Sequence, residues 1–348
     1  MSRTPAPMRP MEPTSPRRAN RRPRRWTFRL PGVLAALCWL VLALLAALAV
    51  ARLVAWDGSE LLAEVNSLNG LAYLPAWPVL LLAALARRVA LAGAAALVII
   101  AQLAFVAPEV LAAQPLATWA VHAPTITVFD ANVGSDIGNR DMSGYTRAIE
   151  RDTPDVVTLE EIDPGDFAQL EADGALDRLP HRYQLRGAAP WGFGIASRYP
   201  LHVERVLSAG GNPFLVMAHI SLRHVTLRLW VVHTDAPPTS MALWRSDLDR
   251  IATSVTKTGL SRLLVAGDFN ASWGNAGFNA VLQSGLVDGA AARAEPFGMT
   301  WPESRWLPPL VRIDHVLTGR DLAVKTLVTG DGPGSDHRAL LATVAIRS

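Results

Sequence analysis

Residues 262–270 read Arg-Leu-Leu-Val-Ala-Gly-Asp-Phe-Asn. A short apolar run closes on a glycine, then on an acid and an amide. The run predicts a buried strand over 262–266, and the polar groups held back to its end are delivered to one rim of a sheet. The same arrangement recurs along the chain. Phe-Asp-Ala-Asn-Val (129–133) closes a predicted strand over 126–133, and Pro-Asp-Val-Val-Thr-Leu-Glu-Glu (154–161) carries one over 155–161. Val-Val-His-Thr-Asp (231–235) closes 225–233, and Arg-Ile-Asp-His (312–315) sits in 311–317. Gly-Ser-Asp-His-Arg (334–338) precedes 339–346.

Further strands fit 194–197, 214–221 and 322–328. Helices fit 143–152, 167–177, 241–256 and 276–283, where the apolar spacing changes from two to about 3.6 residues. Strand-rich order interrupted by helices predicts an α/β fold of two mixed sheets packed face to face with helices outside. There is no internal repeat. The folded unit begins near residue 124.

Upstream the composition changes. Residues 1–29 hold nine Arg and one acid, Glu12, whereas the rest of the chain carries 24 basic and 29 acidic groups. The high isoelectric point therefore belongs to this Arg/Pro-rich tail, which has little to bury and is expected to be disordered. The folded part shows no basic footprint for nucleic acid. A single cysteine, Cys38, excludes an intrachain disulfide.

Apolar stretches at about 30–54, 68–86 and 89–106 are each long enough to approach a hydrocarbon core of ~30 Å. They predict three transmembrane helices over 30–107. A signal peptide is the alternative for the first stretch, and a buried soluble hairpin for the other two. The basic residues orient the helices. The N-terminal tail and Arg87–Arg88 belong on the cytoplasmic side, and the loop carrying Asp57, Glu60 and Glu64 on the other. Three crossings make this a multi-pass protein of the cell membrane and deliver the chain after Ala107 to the extracytoplasmic face.

The rim residues point to a chemistry. Carboxylates and amides with few histidines are hard oxygen donors suited to Mg²⁺ or Mn²⁺. Phosphoester hydrolysis needs a cation against phosphoryl charge, a base for water and donors for the phosphate oxygens. The rim supplies all three.

The ordered set Asn132, Leu-Glu-Glu (159–161), His233, Gly-Asp-Phe-Asn (267–270), Ile-Asp-His (313–315) and Ser-Asp-His-Arg (335–338) resembles the endonuclease/exonuclease/phosphatase superfamily. Gly-Phe-Gly-Ile-Ala-Ser-Arg-Tyr-Pro-Leu (192–201) adds a family-like strand, and the resemblance covers about 124–348. It implies a four-layered α/β sandwich and a metal-dependent hydrolase. It further implies Glu161 as principal metal ligand with Asn132 beside it and Asp336 near the metal. Asp268 then orients or deprotonates the attacking water, and Asn270 holds phosphate. His337 faces the phosphate with Asp314 paired to it, and His233 is a second phosphate-facing histidine. The family usually places Gln before its metal-binding Glu, where this chain has Glu160. Strand alternation lets only one of Glu160 and Glu161 enter the site.

The expected substrate is a phosphoester: phospholipid, sugar phosphate or nucleic acid. A surface nuclease is the alternative enzyme, and a silent membrane scaffold the alternative of another class. No motif points to an obligate protein partner. The proline-broken stretch Thr-Trp-Pro-Glu-Ser-Arg-Trp-Leu-Pro-Pro-Leu (300–310) reads either as core tryptophans or as a rim loop touching an amphiphile or bilayer.

Overall fold

The computed structural model describes residues 30–347 apart from 114, 135–140, 187–190, 294, 296–297 and 305. The tail expected to be disordered lies outside the described residues. The first elements are helical: α1 (Gly32–Leu53), α2 (Glu60–Ser67), a 3-10 turn (Asn69–Tyr73), α3 (Ala76–Leu85) and α4 (Val89–Leu111). Both α1 and α4 are long and apolar enough to cross a membrane.

The middle stretch departs from expectation. Helix α3 has 10 residues, a rise of about 15 Å and half a hydrocarbon core. Asn69, at φ 48°, and Pro75 interrupt the apolar run, so its first part winds as the 3-10 turn. Turn and helix together form an arm, Asn69–Leu85, that meets α2 at 102°. The expected three full-length spans are therefore two, or three where the bent pair counts as one. Helix α2 was not anticipated. Ser59 accepts the Leu62 N–H at 3.3 Å, and Glu60 occupies its first turn, where an acid is favoured.

Helices α1 and α4 run in the same direction. Arg52, at the end of α1, stacks on the Phe105 ring near the end of α4, at 4.4 Å. Both ends then touch the following fold: Arg52 donates to the Trp273 carbonyl at 3.3 Å, and Glu109 pairs with buried Arg312 at 3.2 Å. Two parallel helices require a return path, and the Asn69–Leu85 arm supplies it.

After the short α5 (Thr118–Val121) the chain forms two six-stranded sheets. The first contains β1 (Thr125–Asn132), β2 (Val156–Glu160), β3 (His181–Leu185), β4 (Phe193–Ser197), β11 (Leu322–Thr329) and β12 (Leu340–Ile346), ordered β11-β12-β1-β2-β4-β3. The second contains β5 (Leu201–Ala209), β6 (Asn212–Ser221), β7 (Thr226–His233), β8 (Leu263–Asp268), β9 (Val287–Asp288) and β10 (Asp314–Thr318), ordered β5-β6-β7-β8-β10-β9. Helices α6 (Ser143–Asp152) and α7 (Pro164–Ala172) follow strands of the first sheet, and α8 (Pro237–Thr258), α9 (Ala276–Gln283) and α10 (Gly289–Ala292) strands of the second.

The pleat explains the layers. On β1, Ile126 and Val128 pack between the sheets with Leu229, Val231 and Leu264, whereas Phe129 and Ala131 face outward with Tyr145 and Ile149 of α6. Trp230 and Val232 of β7 likewise pack with Trp244 and Leu248 of α8. These are the four layers expected: helices, sheet, sheet, helices. Strands β3, β5 and β9 were not anticipated, because they are short or carry polar, half-exposed residues without a clear apolar period.

Candidate active site

Each sheet has a central parallel pair, β1–β2 in one and β7–β8 in the other. Their carboxyl ends share one rim, with Asn132 beside Glu160 and His233 beside Asp268. Strand β10 runs antiparallel and begins there, setting Asp314 opposite Asp268. His337 lies just before β12, which pairs antiparallel with β1.

Gly267 is a condition of this assembly. Its φ is 129°, and a Cβ there would lie 2.1 Å from the Val232 carbonyl oxygen. Only glycine brings the end of β8 so close to β7. Two further residues adopt positive φ at the rim, Glu161 at 54° and Asn270 at 45°. Such backbone costs free energy and gathers at functional sites.

All eight candidate residues come together. Asn132 donates to Glu161 at 3.1 Å and to Asp268 at 3.0 Å, so one amide links two carboxylates across the sheets. His233 Nε2 lies 3.3 Å from Glu161. His337 Nδ1 meets both oxygens of Asp314, at 3.0 and 3.2 Å, leaving Nε2 directed at Asp268, 3.8 Å away. Asn270 donates its backbone N–H to Asp268 at 2.7 Å and its side-chain amide to the Thr234 carbonyl at 3.1 Å. Asp336 is half exposed, and it accepts the Trp301 indole N–H at 3.0 Å.

Electrostatics follow from burial against partners. Burial would neutralise His337, but Asp314 and Asp268 lift it to about 10. Burial opposes His233's charge too, and Glu161 overcomes it, raising that histidine. Glu161 is itself held below the ordinary range: burial pushes it up, but His233 and Asn132 prevail. Asp268 is raised by burial and by Asp314.

Glu160 takes the opposite course from its neighbour. It is fully buried against Asp130, and burial drives both carboxyls well above their usual range. A protonated Glu160 is a neutral, planar near-isostere of the glutamine usual at that place.

The donor set fits a hard divalent cation. Glu161 and Asp268 bring carboxylate oxygens to either side of the Asn132 amide, whose nitrogen faces them while its oxygen accepts the Gly134 N–H at 2.9 Å. A second grouping, Asp268, Asp314 and His337, has ligand atoms within 4.8 Å of one another. There, however, both Asp314 oxygens are spent on His337 Nδ1, and a cationic imidazole repels a metal. Glu161 is the better seat.

The rim opens into a cavity of about 800 Å³. Several of its lining residues had no sequence signal. Trp191 lies beside His233, with ring centroids 5.1 Å apart, and Glu64, Val65 and Leu68 reach the cavity from α2 and its end. The Trp-bearing stretch is a rim loop, not core: Trp301 is 39% exposed and Trp306 93%.

The sequence profile of the Endonuclease/Exonuclease/phosphatase family matches residues 131–337, more than half of the chain. Among solved structures, a humanized D. rerio TDP2 carrying 14 mutations is similar at 16% identity and TM-score 0.51, covering 63% of this chain and 98% of its own. D. rerio TDP2 complexed with single strand DNA product gives 18%, 0.51, 63% and 98%. A family protein from Bacteroides thetaiotaomicron gives 12%, 0.51, 65% and 100%. These likenesses concern the fold. No curated protein matches the chain.

Proposed function

Because the chain belongs to the Endonuclease/Exonuclease/phosphatase family, we propose that it is a membrane-anchored, divalent-cation-dependent phosphoester hydrolase. The observation that carries this reading is the position of Asp268. Its carboxylate is oriented by the Asn270 N–H, linked to Glu161 through Asn132 and faced by His337 Nε2. A buried carboxylate raised above its usual range is a better base than one in water.

Glu161 and Asn132, with Asp336 near them, would hold Mg²⁺ or Mn²⁺, which when bound neutralises phosphoryl charge. Asp268 takes the proton of the attacking water. Water oxygen bonds to phosphorus, the bond to the leaving oxygen breaks, and that oxygen leaves with the electron pair and takes a proton from solvent water. His337, cationic and held by Asp314, and His233 donate to phosphate oxygens as charge develops. Asn270 holds the phosphate at the rim.

The charge distribution favours a small or lipid phosphoester over nucleic acid, because the chain after residue 29 is net acidic. Arg-rich residues 1–29 and Arg87–Arg88 support a cytoplasmic N-terminus and an extracytoplasmic catalytic domain. A Val89–Leu111 helix rises about 34 Å, and about 32 Å of that rise separates Arg88 from Glu109 and its contact with Arg312.

The test is hydrolysis of bis-p-nitrophenyl phosphate by the full-length protein. Activity should require Mg²⁺ or Mn²⁺ and vanish in chelator; full activity in chelator, or with zinc alone, overturns the reading. Protease added to spheroplasts should digest residues after Ala107, and their protection would reverse the orientation.

A further inference from the structure

The catalytic cavity has two unlike ends. One carries Glu161, His233, Asp268 and His337. The other is apolar: Val65 and Leu68 come from the α2 region, and Leu307, Leu310 and Val311 from the loop opposite. A second cavity of about 200 Å³ shares Ser67, Leu68, Leu310 and Val311 with it, meets Gln102, Glu109 and Arg312, and is lined further by Leu71, Val106 and Val110. Those last three belong to the return arm and α4, so apolar residues lie in series between the phosphoryl site and α4, which reaches membrane length.

The setting of this path is interfacial. Helix α2 meets the return arm at 102°; with the arm along the membrane normal, α2 lies in the surface plane. Its Ala63 is buried in the catalytic fold, whereas Leu61 is 71% exposed on the other side. Trp56 and Trp306 are also exposed, and tryptophan is enriched at the membrane–water boundary.

The seam is fixed, not a loose crevice. Asp57 accepts the Ala276 N–H at 2.7 Å and the Asn66 amide at 2.6 Å. Asn275 donates to the Ala63 carbonyl at 2.9 Å and accepts from the Ser67 hydroxyl at 2.8 Å. A Cβ on Gly274 would lie 1.6 Å from the Asn66 carbonyl oxygen, so the two backbones touch where only glycine fits.

We propose that the substrate is a phosphoester lipid whose head reaches the Asp268 rim while an apolar chain lies in the seam between the return arm, α4 and the 300–311 loop. This rests on the hydrolase reading above and adds the substrate class. A soluble sugar phosphate has nothing to place against Leu68, Leu71 and Val110. A lipid chain does, and each methylene it buries there favours binding.

The test uses the full-length protein in detergent with Mg²⁺, on long-chain phosphatidylcholine and phosphatidylglycerol in mixed micelles and on bis-p-nitrophenyl phosphate in the same preparation. The wild type should hydrolyse at least one lipid. Val110→Trp, which fills the distal seam, should lower lipid hydrolysis tenfold or more and change soluble-diester hydrolysis less than twofold. Equal rates of lipid hydrolysis in wild type and variant overturn the proposal. Diester hydrolysis without lipid hydrolysis by the wild type overturns it and leaves the hydrolase reading standing; hydrolysis of none overturns both. If Val110→Trp loses both activities through misfolding, a diazirine-bearing phosphatidylcholine decides with the wild type. Crosslinks at residues 68–71 and 106–110 support the proposal, and crosslinks confined to α1 overturn it.

Discussion

Asp314 and His315 are consecutive residues of β10, yet each belongs to a different histidine–carboxylate pair. Asp314 grips His337 at the cavity, and the far nitrogen of that ring remains directed at Asp268. His315 points through the other face of the sheet, where its Nδ1 lies 3.4 Å from Asp288 and both side chains have no exposure. Its Nε2 meets the Ala271 carbonyl at 3.1 Å, and its ring stacks on Phe278 at 4.1 Å. Asp288 also accepts from the Trp273 indole at 2.7 Å and caps α10 through the Ala290 N–H. The same chemical pair thus serves two ends. One pair leaves a nitrogen facing the cavity, and the other is enclosed in the fold.

Catalysis should separate the two most sharply. Asp268→Asn and His337→Gln should lower turnover by ~100-fold or more while the protein stays folded; a folded, fully active variant at either position removes that residue from the mechanism. His315→Ala should leave turnover per folded molecule within a few-fold.

The next effect is on stability. Asp288→Ala strands His315 in the interior and should cost about 3–5 kcal/mol, read as a lower urea midpoint, whereas His337→Gln at the cavity should cost less. An inverted order would mean that the rim pair holds the fold.

A smaller effect appears in acid. Burial alone would raise Asp288, but His315, Arg312 and Trp273 hold it down at about 2, against an ordinary value of 3.8. A depressed carboxylate contributes stability fully above its unfolded pKa and loses it as pH falls through the folded one. About 2 kcal/mol should therefore vanish between about pH 4 and 2, and Asp288→Asn should flatten that limb. His337 has the opposite sign. Raised to about 10, it contributes fully below about 6.5 and loses its contribution as pH climbs through 10, so metal-stripped protein should weaken in alkali and His337→Gln should not.

The last effect tests the loop that joins these pairs to the N-terminal helices. Gly274→Ala forces the Asn66 carbonyl aside and should destabilise by about 1–3 kcal/mol, seen as faster proteolysis between residues 54 and 68. Unchanged proteolysis would mean that the seam yields at no cost.

Much of this was legible in the chain itself. Apolar runs ending in Gly-Asp-Phe-Asn, Leu-Glu-Glu or Val-Val-His deliver polar groups to strand ends because side chains alternate and buried runs exclude them. That logic gathered Asn132, Glu160 and Glu161, His233, Asp268, Asp314 and His337 at one rim, and the family resemblance singled out Glu161. The middle apolar stretch misled, because Pro75 and Pro78 are tolerated in membrane helices while the backbone at Asn69–Tyr73 winds differently. The edge strands β3 and β5 were silent because half-exposed strands lack a strong apolar period.

The chain by itself therefore determined its layers, its rim and its two membrane-length helices, since local periodicity and burial encode them at separations of a few residues. The tertiary structure alone decided that Glu160 is sealed while Glu161 meets the cavity, that Asp314 and His315 serve opposite faces, and that Asp57 reaches the start of α9. Asp57 and Ala276 are 219 positions apart. Nothing in a polar residue's neighbours records so distant a partner, because that hydrogen bond exists only once both units have packed and water has left the seam.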